Sequence, residues 1–305
     1  MPTKLPVQSK LTILESERLK KLPWLIHGFS TRSGGFSRAY GGTALNLGFT
    51  KTDTRAAVER NRAAFLSQLG VGGRRPWPLA TVRQIHSDLI HAISSVPEQP
   101  LAGDGLITNT PGLLLAILTA DCIPVIVVDP KKRAVGVFHA GWRGTVKRIV
   151  EKGVGEMHRH FGSRPEDLEA AIGPGVHNCC YTVGEEVRQN FESQFGYAAE
   201  LFHEVKESDP VREKYPMLFL TARAPGHSNL PVKIFLDLIE ANRRQLLDAG
   251  LRPSRIATVS RCTSCHTDTL FSHRAEKGVT GRMMAAVGIR PSLKSRPNEK
   301  DGASA

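Results

Sequence analysis

The chain has 305 residues, 40% hydrophobic and 23% charged, which suits a soluble globular protein with a sizeable core in one or two domains. No apolar run is long enough for a membrane span, and the N-terminal MPTKLPVQSKLTILESERLKK lacks the apolar centre of a signal peptide, so a cytoplasmic protein with no membrane partner is expected. The formal charge is +12 but Lys and Arg are scattered, the basic pieces being as short as Lys131-Lys132-Arg133, which favours a small-anion site over a nucleic-acid groove.

Taken in chain order, residues 53–69 predict a helix, with Val58, Phe65, Leu66 and Leu69 on one side and Gly70 at the end. Residues 80–86 read as a strand. Residues 113–118, 123–128 and 134–139 are apolar and rich in branched side chains, as buried strands are. Helices are predicted from about 145 to 161 and over 237–249, the second closed by Gly250 as a C-terminal cap. The polar, Pro/Gly/Ser-rich residues 290–305 read as a disordered tail. The pattern is that of a mixed α/β domain with hairpins.

The stretch TADCIPVIVVDPKKRAVGVFHAGWRGT, residues 119–145, sets Asp121 and Cys122 at the head of one apolar run and His139 at the end of the next. Asp129-Pro130 between them marks a turn, so the two strands are predicted antiparallel. Centring the turn on Pro130-Lys131 makes Val128 face Arg133 and Cys122 face His139. Opposed Cβ atoms lie roughly 5 Å apart on one face, close enough for a thiolate and an imidazole to share a metal at roughly 2.0–2.3 Å. A third ligand is needed. His86, closing TVRQIH, is the strongest candidate, ahead of His27. Histidine–cysteine–histidine ligation leaves a fourth zinc position open, as catalytic sites do. The same Cys122 and His139 would also serve as the nucleophile–base pair of a hydrolase.

Beyond His139, AGWRGT leads into a helix. Backbone N–H groups at a helix start together with the Arg143 guanidinium would bind phosphate. The five cysteines are an odd number, which argues against a disulfide framework. Cys262-Thr-Ser-Cys265-His266 matches the haem-attachment pattern, but it occurs once and without an export signal. With only Cys179-Cys180 as a possible second pair, these are expected to be free thiols. Cys265 and His91 are expected to be bystanders to the zinc trio. The only H-x-H, His158-Arg159-His160, lies on a polar predicted helix, which weakens a multicopper reading. A non-catalytic nucleotide-binding module would have no use for an open metal position.

Together, GFSTRSGGFS with LNLG, QIHSD, DGLIT, TADCIPV, VGVFHAGWRGT, AAIGPGV with CCYTVG, and CT…LFSHR…GRMMAA resemble the YfiH/laccase-domain family. That family was once described as multicopper polyphenol oxidases and is now described as purine nucleoside phosphorylases. The motifs run in family order from Gly28 to about Ala286. The resemblance implies packed mixed β-sheets flanked by helices, in a single catalytic domain over 23–289 with an N-terminal extension over 1–22. It implies zinc on His86, Cys122 and His139, with copper the alternative. It implies phosphorolysis of adenosine, inosine and S-methyl-5′-thioadenosine, adenosine deamination as a side activity, and a monomer or homodimer.

In that reading Asp121, Cys122 and Arg143 are the catalytic residues, Asp121 handling a proton on the purine with Asp104 as a second candidate. Strand alternation turns Asp121 away from Cys122, so its role requires a bulge or strand end there. Arg32, Asn46, Gln84, Arg143 and Arg274, all within these motifs, are the expected substrate-binding residues. One segment departs from the family. Where FFSYRRD is usual, this chain has LFSHRAE, with His273 for Tyr and Ala275 for the second Arg.

Overall fold

The computed structural model describes residues 10–206 and 232–292. Most of the predicted tail, from 293 onward, and residues 1–9 of the predicted extension lie outside the described residues. Two mixed sheets face each other. One runs in the order Ile13–Leu14, Leu25–Ser30, Met283–Ile289, Leu114–Thr119, Leu79–Thr81. The other runs Ile256–Thr258, Glu169–Ile172, Ile123–Asp129, Ala134–Ala140, Gly105–Thr108, Ile90–Ala92. A small third sheet joins Thr182–Val183, Val232–Leu236 and Phe202–Lys206.

Every residue of Ile123–Asp129, Ala134–Ala140 and Met283–Ile289 is buried. Strands covered on both faces need no polar alternation, which is why they read as continuous apolar runs. Ile126, Val128, Val135 and Val137 point into the space between the sheets and meet Leu115, Ile117, Ala285 and Val287. Their neighbours Val125, Val127 and Phe138 face outward, against Val150, Val154 and Met157 of the helix Ile149–Phe161 and Leu246 of the helix Leu238–Asp248. On the opposite side Phe65 and Leu66 of the helix Arg55–Gln68 pack on Leu114, Ala116, Met284 and Ala286. The layers are helix, sheet, sheet, helix, the mixed α+β class expected.

Phe138, fully buried, locks the strand that carries His139. Gly105, Gly136 and Gly153 make room for its ring: a Cβ at 153 would sit 2.4 Å from it. Truncating such a phenylalanine costs roughly 3–5 kcal/mol. The helices end where the sequence places caps. Thr54 accepts from the Ala57 N–H, Asp237 accepts from the Glu240 N–H, and Gly250 turns left-handed at φ +96°.

Three expectations need correction. The helix predicted over 145–161 is two helices, Trp142–Val146 and Ile149–Phe161. The break is Arg148 at φ +62°, whose guanidinium is held by Glu151 at 2.6 Å and the Gln194 carbonyl at 2.8 Å, contacts that offset the strain of a left-handed non-glycine residue. The strand predicted over 80–86 ends at Thr81, and His86 sits in a bend at φ +56°. Within the expected extension, Ile13–Leu14 pairs with Leu25–Ser30 and Leu19 is fully buried. Finally, the hairpin register is slipped by two, so that Val128 pairs with Val135 and Pro124 with His139. Asp129 Oδ1 accepts from the N–H groups of Lys131 and Lys132, which carries the turn on through Arg133 at φ +49°.

Candidate metal centre

A slip of two keeps side chains on their faces, so Cys122 and His139 still share one. Cys122 lies one residue before its strand and His139 one before the end of its own. Gly141 then takes the place opposite Cys122. A Cβ there would lie 2.8 Å from Cys122 Sγ and 3.2 Å from His86 Cδ2, so glycine is what lets the three side chains converge. His86 Nε2 is 3.9 Å from Cys122 Sγ, and the His86 and His139 rings meet edge to face at 5.0 Å. One donor atom from each of His86, Cys122 and His139 lies within 4.8 Å of the others.

A buried carboxylate stands behind this trio. Asp104 is fully buried, and its Oδ1 accepts from His139 Nδ1 at 2.8 Å and from the His86 N–H at 3.1 Å. Its Oδ2 accepts from the Ser87 N–H at 2.6 Å and the Ser87 hydroxyl at 2.7 Å. Burial opposes its charge, but these bonds and His139 hold the carboxyl well below the usual range. With Nδ1 bound to the carboxylate, His139 has Nε2 left for a metal.

Burial likewise opposes ionisation of Cys122, yet His139 and His86 pull its thiol down to about 6. Burial opposes charge on His139 as well, but the Cys122 thiolate and Asp104 push it up to about 9. A thiolate with two imidazoles, one anchored by a carboxylate, is a donor set that fits zinc.

The trio lines a cleft of about 650 Å³ together with Phe49, Val82, Gln84, Leu118, Val279 and Arg282. A second depression of about 470 Å³ is lined by Trp142, Arg143, Tyr181, Thr182, Glu186 and Arg274, among others. Arg143 is exposed and stacks on Trp142 at 4.4 Å. Arg274 lies over Tyr181 at 5.4 Å and donates to Thr182 Oγ1 at 2.9 Å. The Tyr181 phenol is pushed up first by burial and then by the Cys122 charge.

The other predicted site residues are engaged within the fold. Asp121, at φ +89° just outside its strand, leaves the alternation. Its Oδ1 accepts from Thr263 Oγ1 at 2.5 Å and its Oδ2 from the Arg274 N–H at 2.6 Å. It is not among the residues that line either depression. Gln84 faces the cleft but has both amide ends bonded to the Leu118 backbone at 2.8 Å.

Asn46 is fully buried, bonded to Gly48, Asp53 and the Arg282 N–H. Arg32 donates to the Thr267 carbonyl, Glu276 and the Tyr40 carbonyl. His91 Nε2 pairs with the Ala102 carbonyl at 2.9 Å, apart from the trio. Tyr181, Trp142 and the anchoring role of Asp104 were not read from the sequence, although CCYTVG, HAGWRGT and DGLIT contain them.

Residues 26–290 match the family described as multi-copper polyphenol oxidoreductase laccase. The chain is 37% identical over 267 residues to the purine nucleoside phosphorylase of Deinococcus radiodurans, covering 86% of this chain and 88% of that protein. It is 29% identical over 271 residues to adenosine deaminase RL5 of an unknown prokaryotic organism, covering 86% and 93%. The crystal structure of the Bacillus licheniformis hypothetical protein YfiH superposes with a TM-score of 0.76 at 31% identity, covering 94% and 98%.

Proposed function

The chain belongs to the multi-copper polyphenol oxidoreductase laccase family, its relatives carry the names of enzymes, and from that premise we propose that it is a zinc-dependent purine nucleoside phosphorylase. Its substrates are adenosine, inosine and S-methyl-5′-thioadenosine with phosphate, and deamination of adenosine is a side activity. The observation that carries this reading is the convergence of His86, Cys122 and His139 in the lining of an open cleft, with a second depression lined by two arginines. Those three residues would hold the ion, and zinc bound there supplies a Lewis acid with a position left for substrate or water.

In phosphorolysis the bond from C1′ to the purine nitrogen breaks as one from C1′ to a phosphate oxygen forms, and the base leaves with the electron pair. Arg143 and Arg274, each lying over an aromatic ring, bind the phosphate through charge-assisted hydrogen bonds. Phe49, Val82, Leu118 and Val279 offer the flat base an apolar wall. Phe49 and Val279 are among the few large hydrophobic side chains left exposed, as a docking surface for a planar ligand requires. Asp121 holds the backbone of Arg274, and Asp104 fixes the tautomer of His139.

A multicopper centre would need further clustered histidines. Among the described residues, His158 bonds the Ser163 carbonyl and His160 faces Glu156. The thiolate–imidazolium pair of Cys122 and His139 also suits a cysteine nucleophile, but the third donor His86 favours the metal. The test is product analysis on protein of measured metal content, with adenosine and inosine, with and without phosphate. Free base and ribose 1-phosphate that appear only with phosphate support the reading. Zinc-loaded protein that releases no base from either nucleoside overturns it.

A further inference from the structure

We infer that Cys179, Cys180, Cys262 and Cys265 form a second metal site, a closed tetrathiolate for zinc, on the flank of the catalytic cleft. Two chain segments more than eighty positions apart meet there. The Gly175–Cys262 bridge and the Thr263 N–H to Gly175 carbonyl bond at 2.9 Å join them. Cys179 Sγ lies 3.6 Å from both Cys180 Sγ and Cys265 Sγ, and Cys180 Sγ lies 3.3 Å from Cys265 Sγ. All four sulfurs are within 4.8 Å of one another.

Zinc binds thiolate at about 2.3 Å in a tetrahedron, which sets its sulfurs about 3.8 Å apart, so the cluster is already near that spacing. A disulfide joins two sulfurs at about 2.05 Å and gives no reason for a third and fourth to gather around them. Here Cys265 is nearly equidistant from Cys179 and Cys180, the arrangement of ligands around a common centre. The His177 N–H points at Cys262 Sγ at 3.5 Å, and a backbone donor aimed at sulfur favours the thiolate that a metal requires. The first segment contributes adjacent cysteines and the second a C-x-x-C turn, the spacing common in structural zinc sites.

The site adjoins the two residues that hold Arg274. Cys180 precedes Tyr181, whose ring lies beneath the Arg274 guanidinium, and Cys262 precedes Thr263, which bonds Asp121. Asp121 in turn accepts the Arg274 N–H. A metal at this knot would therefore pin the arginine wall of the second depression to the sheet, without touching substrate itself.

The test uses protein purified under reductant, with zinc per chain measured for wild type, Cys179→Ser, Cys265→Ser and Cys122→Ser. The expected wild-type content is two equivalents. Cys179→Ser and Cys265→Ser, both altered at exposed positions, should each lose one and keep the other. Zinc-edge X-ray absorption of the Cys122→Ser protein should then report a sulfur-only shell at about 2.3 Å. Wild-type zinc content in both flank variants would overturn the proposal, as would an intact mass short of two or four hydrogens, the signature of disulfides. Should either flank variant fold poorly, the Cys122→Ser spectrum decides alone: nitrogen in the shell, or no zinc, removes the site. None of these readouts depends on the activity proposed for the cleft.

Discussion

In the cleft, one thiol meets two imidazoles, and a buried carboxylate anchors one of the rings; on the flank, four thiols gather around one another. Three mixed donors leave a zinc position free for chemistry, whereas four thiolates fill the coordination sphere. The electrostatics diverge in the same way. Cys122, between two histidines, is pulled down to about 6 despite burial. Cys265 is pushed up to about 11, chiefly by its hydrogen bond with Cys180. Two histidines activate Cys122, whereas a thiol neighbour quiets Cys265.

The largest effect that would sharpen the contrast is expected from Cys122→Ala. It should abolish base release and remove the cleft zinc while the flank zinc stays, as read by metal analysis beside an activity assay. Full retention of zinc in that protein would exclude Cys122 as a ligand and collapse the distinction.

Arg143→Ala should leave both metal sites loaded and lose roughly 2–3 kcal/mol of charge-assisted binding to phosphate, about 30- to 150-fold weaker phosphate saturation. Conversion of adenosine to inosine should persist at a comparable rate. An equal loss of both reactions would move Arg143 from the phosphate to the nucleoside.

Asp104→Asn tests the carboxylate that only the cleft has. Metal affinity there should fall by about 10- to 100-fold, measured by chelator competition, with flank zinc unchanged. An unaltered affinity would mean that the His139 to Asp104 bond does not tune the ligand.

The smallest effect is a difference in reactivity with pH after chelation. The thiolate is the reactive form, so alkylation of Cys122 should rise through about pH 6 and level off, whereas that of Cys265 should keep rising toward pH 11. Peptide mass spectrometry across that range separates the two. Superimposable profiles would erase the electrostatic difference between the clusters.

Much of the cleft was legible in the sequence because its donors are local to strongly patterned elements. Two apolar runs around Asp129-Pro130 predict a hairpin, and period-two alternation puts Cys122 and His139 on one face for any even register. That is why a slip of two residues left the trio intact. The register itself was decided by Asp129 bonding two N–H groups of the turn, a choice among loop lengths that apolar patterning does not rank. The cap at Gly250 acts within a single turn and was readable for the same reason.

What the tertiary structure alone decided is which polar groups are satisfied by the fold and which are left for a ligand. Arg32, Asn46 and Asp121 sit in motifs that look like a binding site, yet each also has a partner from a distant segment: Thr267, Arg282 and Thr263. The anchoring of His139 by Asp104 spans 35 positions, and the meeting of Cys180 with Cys265 spans 85. Such pairings follow from how the sheets and loops pack, and local propensity carries no term for them. The sequence determined which side chains would share a strand face; only packing determined which of the remaining side chains would find each other across the fold.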